Sequence, residues 1–138
     1  AMLRHARPHN RYVGDDCSEY VVRRYGKLRN LRFGRFGDLG RLGLKRRFDL
    51  IVCSDVLHYV PTAEARRGLR ALARLLGGVA FIEVFTDDDA TIGDGEEFQR
   101  RRAGSYRRMF REAGLVPLGL HCYAGHTLRD RLTSFERA

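Results

Sequence analysis

Apolar residues come along this chain in short runs that alternate with stretches of helical spacing. The clearest run is Leu50-Ile51-Val52-Cys53-Ser54, behind Phe48-Asp49. A short, β-branched-rich run of this kind reads as a strand buried on both faces. It breaks into Ser54-Asp55, as strands do at a carboxyl end, where open α/β sheets bind ligands. Thr62 follows as a candidate helix cap. Leu69, Leu72, Ala73 and Leu76 then recur on one side of a helix over about 63–76, with Arg66, Arg67, Arg70 and Arg74 mostly opposite. Gly77-Gly78 reads as the stop of that helix, and Val79-Ala80-Phe81-Ile82-Glu83-Val84-Phe85 as the next buried strand.

The same alternation runs through the rest of the chain. A short strand over about 11–16 ends in Asp15-Asp16-Cys17, and Ser18 caps a helix that Gly26 stops. Leu31-Arg32-Phe33 opens a strand over about 31–36. Gly34, Gly37, Gly40 and Gly43 then recur every third residue, which suits tight turns; no helix start follows them as a phosphate loop requires. Ser105 to Ala113 is a helix stopped by Gly114, Leu115 to Tyr123 a strand, and Thr127 to Phe135 a weakly patterned last strand. Asp87 to Arg102 is a long polar stretch, of a length compact domains reserve for functional or mobile loops. Strands spaced by helices predict an α/β fold with helices on the sheet faces.

The central stretch Phe48-Asp49-Leu50-Ile51-Val52-Cys53-Ser54-Asp55-Val56-Leu57-His58-Tyr59-Val60 resembles the fourth strand and following loop of class I S-adenosylmethionine-dependent methyltransferases, in the small-molecule branch of that family. Phe110-Arg111-Glu112-Ala113-Gly114-Leu115 resembles the junction before the family's sixth strand. The resemblance implies a Rossmann-like sheet, mostly parallel with an antiparallel last strand. It covers about 11–135 and begins at the second strand. The first strand and its Gly-rich turn, roughly D-x-G-x-G-x-G, have no counterpart here. The expectation is one partial domain over 1–138, incomplete at its N-terminus. A missing segment or a partner would then complete the central sheet, unless its two edges close on each other.

The resemblance also implies a cofactor, S-adenosylmethionine, and residues to hold it. Asp16, with Cys17 beside it, matches the acid that accepts from both ribose hydroxyls, although Asp15 stands where the family prefers an apolar residue. Asp38 matches the acceptor for the adenine amino group, and the backbone N–H of Leu39 meets a ring nitrogen. Ser54 and Asp55 complete the cofactor side. His58 or Tyr59 is the candidate base for a small-molecule acceptor, and His58 reads equally as structural. Rival readings are a non-catalytic remnant of the fold and a basic nucleic-acid-binding protein.

Charge enters here. The net charge of +9 over 138 residues comes almost entirely from arginine, Lys27 and Lys45 being the lysines. Because the arginines are scattered and aromatics do not interleave with them, the sequence points to a generic basic surface rather than to nucleic acid. No apolar run approaches the roughly 20 residues that span a bilayer. Cys17, Cys53 and Cys122 fit no zinc spacing, so no metal site is expected, and their odd number suits a reducing, cytoplasmic setting.

Overall fold

The computed structural model describes residues 11–89, 97–126 and 128, in two compact units that divide between Arg35 and Phe36. The first unit is a strand–helix–strand. β1 (Gly14–Asp16) runs parallel to β2 (Leu31–Phe33), with Gly14 opposite Leu31 and Asp16 opposite Phe33, and α1 (Glu19–Arg29) connects them. Ser18 caps α1 as expected, its hydroxyl accepting from Val21 N–H at 3.2 Å. Gly26 does not stop this helix. The chain runs on to Arg29 and closes at Asn30, whose φ of 47° is one of the left-handed conformations that Asn tolerates.

The second unit holds a four-stranded sheet in the order β3-β4-β6-β5, made of β3 (Phe48–Cys53), β4 (Leu76–Ile82), β5 (Leu115–Gly119) and β6 (Cys122–Gly125). β3 and β4 are parallel; β6 is antiparallel to both β4 and β5. Each unit thus carries its own hydrogen-bonded sheet, two-stranded in the first and four-stranded in the second. The helix α2 (Thr62–Leu75) crosses from β3 to β4, and α3 (Ala103–Glu112) leads into β5. α2 buries Ala65, Gly68, Leu69, Ala71 and Leu72, a single stripe at helical spacing. Ala65, Leu69 and Leu72 pack with Leu57, Leu76, Ala80, Ile82, Tyr106 and Phe110 into the core. No helix of the described residues is long and apolar enough to cross a membrane.

Four local expectations are corrected. Leu115 to Tyr123 is a hairpin rather than one strand: Leu120 and His121, at φ 51° and 60°, turn the chain between β5 and β6. Two consecutive left-handed residues suit the twist of a two-residue hairpin, and the pair is not the Asn-Gly that advertises one. Gly77-Gly78 is no helix stop but lies inside β4, where the register with β3 slips by one residue. Thr62 does not cap α2; its hydroxyl accepts from the guanidinium of Arg101 instead. β3 is buried on one face only. Ile51 and Cys53 join the core, while Leu50 and Val52 stay 51% and 52% exposed at the edge of the sheet. The expected last strand over Thr127–Phe135 lies outside the described residues, apart from residue 128.

Candidate functional site

The residues singled out by sequence fall on both units. In the first, Asp16 closes β1, and one carboxylate oxygen accepts the N–H of Ser18 at 2.8 Å. Its second oxygen has no protein donor among the described residues. Asp15, the departure from the family pattern, is paired with Arg32 at 3.3 Å. Cys17 is exposed.

In the second unit, Asp38 and Leu39 lie in a short 3-10 helix, Phe36–Arg41, rather than at a strand end, since β2 stops at Phe33. Phe36 anchors this turn against Gly68 of α2, where a Cβ would meet its ring at 2.3 Å. Leu39 packs on the core and Asp38 pairs with Arg41 at 3.6 Å.

Ser54, Asp55, His58 and Tyr59 are brought together in one loop at the carboxyl end of β3. Asp55 takes a φ of 59°, a strained backbone for a residue with a side chain, and its carboxylate is 68% exposed. His58 sits three residues on in a short 3-10 helix, Leu57–Tyr59, wholly buried. Its ring lies among those of Tyr59, Phe85 and Phe98, at centroid distances of 4.4, 5.0 and 5.3 Å. Nδ1 faces the backbone N–H of Phe85 at 3.4 Å, and Nε2 faces Asp55 Oδ1 at 3.0 Å. A backbone N–H only donates, so Nδ1 accepts and Nε2 carries the proton, which it gives to Asp55. Both ring nitrogens are then occupied. In this arrangement the imidazole orients the carboxylate, and the exposed phenol of Tyr59 is the accessible group.

Two residues that sequence reasoning passed over complete the loop. Glu83 follows β4 as Ser54 follows β3, and parallel pairing of Cys53 with Ile82 sets them side by side; the hydroxyl of Ser54 donates to the Glu83 carboxylate. Its signal was a polar residue near the end of an apolar run. Arg101 is 7% exposed and binds the loop from behind, donating to the carbonyls of Leu57 and Val60, to Thr62 Oγ1 and to Tyr106 Oη. Within the run Arg100-Arg101-Arg102 nothing in the sequence marks the middle one.

Cys53 is a packing residue. Burial pushes its thiol up from 9.0 to about 12, so it stays protonated at any physiological pH. Because the folded value is the raised one, the associated stability is fully present below about pH 9 and is lost as pH climbs toward 12. A maleimide at neutral pH is expected to label exposed Cys17 rapidly and Cys53 only on unfolding, as read by mass spectrometry of the peptides. Labelling of native Cys53 at the rate of Cys17 contradicts this packing.

No protein-family model and no curated protein matches the chain. Solved structures do. A S-adenosylmethionine-dependent methyltransferase from Clostridium acetobutylicum superimposes with a TM-score of 0.60 at 14% identity, over 80% of this chain and 74% of that one. The (4+2)-cyclase SpnF gives 0.59 at 18% identity, over 78% of this chain and 43% of its own. Magnesium protoporphyrin IX methyltransferase (ChlM) from Synechocystis, with bound SAH, gives 0.55 at 18% identity, over 75% and 53%. The chain therefore spans about half the length of the last two. A methyltransferase and a cyclase on one framework also show that the framework does not dictate the chemistry. The likeness is one of fold: this chain has the Rossmann-like α/β fold of class I S-adenosylmethionine-dependent methyltransferases.

Proposed function

We propose that the chain is part of an S-adenosylmethionine-dependent methyltransferase acting on a small-molecule acceptor, in the cytoplasm. The observation that carries this reading is the group of acceptors at the carboxyl ends of β3 and β4, where Ser54, Asp55 and Glu83 stand together on a parallel pair. That is the end at which α/β folds hold ligands, and carboxylates suit a cofactor that carries positive charge on sulfur and nitrogen. Asp16, one of whose carboxylate oxygens has no protein donor among the described residues, is the candidate acceptor for ribose hydroxyls, and Asp38, with the N–H of Leu39, the candidate partner of the adenine. When bound, S-adenosylmethionine supplies an electrophilic methyl group.

The chain's own part is mostly positioning. His58 is a positioning residue, since its Nε2–H fixes the Asp55 carboxylate; Tyr59 is the group that meets the acceptor, its phenol oxygen placed to accept a hydrogen bond from the attacking atom. The three free thiols support the compartment. Affinity in these 138 residues is expected to be weak, because no D-x-G-x-G-x-G run is present to hold the methionine carboxylate and amine. Each charge-assisted hydrogen bond forgone costs roughly 1.5–3 kcal/mol, which raises the dissociation constant by orders of magnitude.

A test that tolerates weak binding is an amide NMR titration with S-adenosylhomocysteine at millimolar concentration. Shifts are expected at Asp16–Ser18, at Asp38–Leu39 and at Ser54–Asp55, and Asp16→Ala should remove the first set and weaken the rest. Saturation with no perturbation at any of these segments would sink the reading.

A further inference from the structure

The arginines that the sequence scatters are gathered by the fold at the other end of β3. Lys45, Arg46 and Arg47 precede the strand, and Arg70 and Arg74 project from the last turns of α2. They line two adjoining cavities, of about 300 and 360 Å³, that share Arg47 and Arg74 as a common wall. The Arg74 guanidinium lies along the floor of the first, 3.3 Å from where a Cβ on Gly40 would stand. Among the described residues none of these five cations is in an ion pair. The one carboxylate among the described residues of either cavity wall, Glu112, is paired with Arg66 at 3.6 Å.

We infer that this face binds the phosphodiester backbone of nucleic acid. Five unpaired cations held together repel one another, and an anion along the cavities offsets that repulsion. Arginine forks match phosphate oxygens in pairs, which a lysine point charge does not. Two cavities with a shared wall suit successive phosphates of one strand better than a single small anion. Among the described residues no Phe, Tyr or Trp lines either cavity, and the one ring there is His126 at the second, so phosphate contacts dominate over base stacking and binding is tolerant of sequence. None of the exposed large apolar residues lines them either, which argues against insertion into a lipid surface. This face lies at the amino end of β3 and the Ser54–Asp55 loop at its carboxyl end, so occupation of one leaves the other open.

The test is fluorescence anisotropy of the full chain with a labelled random-sequence oligonucleotide, repeated over a salt series. Two double variants carry the same change in charge: Arg47→Glu with Arg74→Glu at this face, and Arg107→Glu with Arg108→Glu on the exposed side of α3. The first pair is expected to weaken binding about tenfold or more and to lower the slope of log affinity against log salt by about 2, while the second changes little. Arg47→Gln with Arg74→Gln repeats the comparison should the Glu pair lose its circular-dichroism signature. Equal weakening by both faces, or tighter binding to phosphatidylserine vesicles than to the oligonucleotide, overturns the proposal.

Discussion

Arg101→Met is expected to lower the unfolding free energy by about 3 kcal/mol. The side chain is nearly enclosed and forms four hydrogen bonds, two of them to the carbonyls of Leu57 and Val60. Methionine fills much of the same volume but donates nothing. The Leu57 carbonyl keeps the Val60 N–H at 3.3 Å. The Val60 carbonyl and the Thr62 and Tyr106 oxygens lose the guanidinium donor, and each buried acceptor left without a donor costs about 1–3 kcal/mol. Opposing this, the variant removes a buried charge that has no carboxylate partner among the described residues, and replacing buried charge by an apolar side chain recovers part of its desolvation. The orphaned acceptors outnumber that single gain, so the net effect is a loss. Arg101→Lys is expected to recover less than half of it, because one ammonium does not reach acceptors spread over the planar fork of a guanidinium. The damage is local to the candidate site. Gln99 N–H bonds the carbonyl of His58 at 2.7 Å and Asp87 N–H bonds that of Arg101 at 3.0 Å, so Arg101 holds together the two segments that enclose His58. Urea unfolding measures the loss, and hydrogen exchange at the Gln99 amide should quicken beyond the global change. A methionine variant within about 0.5 kcal/mol of the parent would mean that Arg101 clamps nothing.

Arg101 also illustrates what the sequence conveys and what it withholds. Periodicity identified α2 and α3 because a helix that packs on a core must repeat its apolar residues, and Ala65, Leu69 and Leu72 do so whatever surrounds them. The alternation of strand and helix likewise revealed the α/β fold, and the polar break after Cys53 located the loop of Asp55 and His58. Features that depend on a distant partner were not legible. The left-handed Leu120-His121 pair has neither Gly nor Asn at its two central positions, Gly119 standing just before them, and pairing of β6 with both β4 and β5 is what holds the turn. Thr62 has the composition of a cap, yet Arg101, 39 residues away in sequence, claims its hydroxyl. The five cations of the basic face are spread over Lys45 to Arg74, and only the crossover of α2 beside β3 collects them.

Gly77-Gly78 is the sharpest such case, and it sets the largest expected effect. A glycine pair after an amphipathic run reads as a helix stop, but here it serves a close approach of two strands. The register between β3 and β4 slips at this point, where Phe48 faces Leu76 and Leu50 faces Val79, so β4 carries an extra residue in the interval. A Cβ on Gly78 would stand 2.1 Å from the carbonyl oxygen of Asp49 and 2.9 Å from its carbon. Both are backbone atoms, so no rotamer change relieves the contact; β3 has to move away from β4. Gly78→Ala is therefore expected to cost about 3 kcal/mol or more, at or beyond the top of the range for overpacking. Gly104→Ala is the same chemical change with the opposite outcome. Gly104 lies in the first turn of α3, nothing stands within 4 Å of its added Cβ, and alanine there gains up to about 1 kcal/mol of helix propensity. Thermal melts of the two variants should move in opposite directions. The Gly78 variant should also lose the bond between Ser54 and Glu83, which depends on β3 and β4 ending in register, while a Ser54→Ala variant loses that bond with the sheet intact. A Gly78→Ala protein that melts within a few degrees of the parent would show that β3 and β4 do not meet at this bulge.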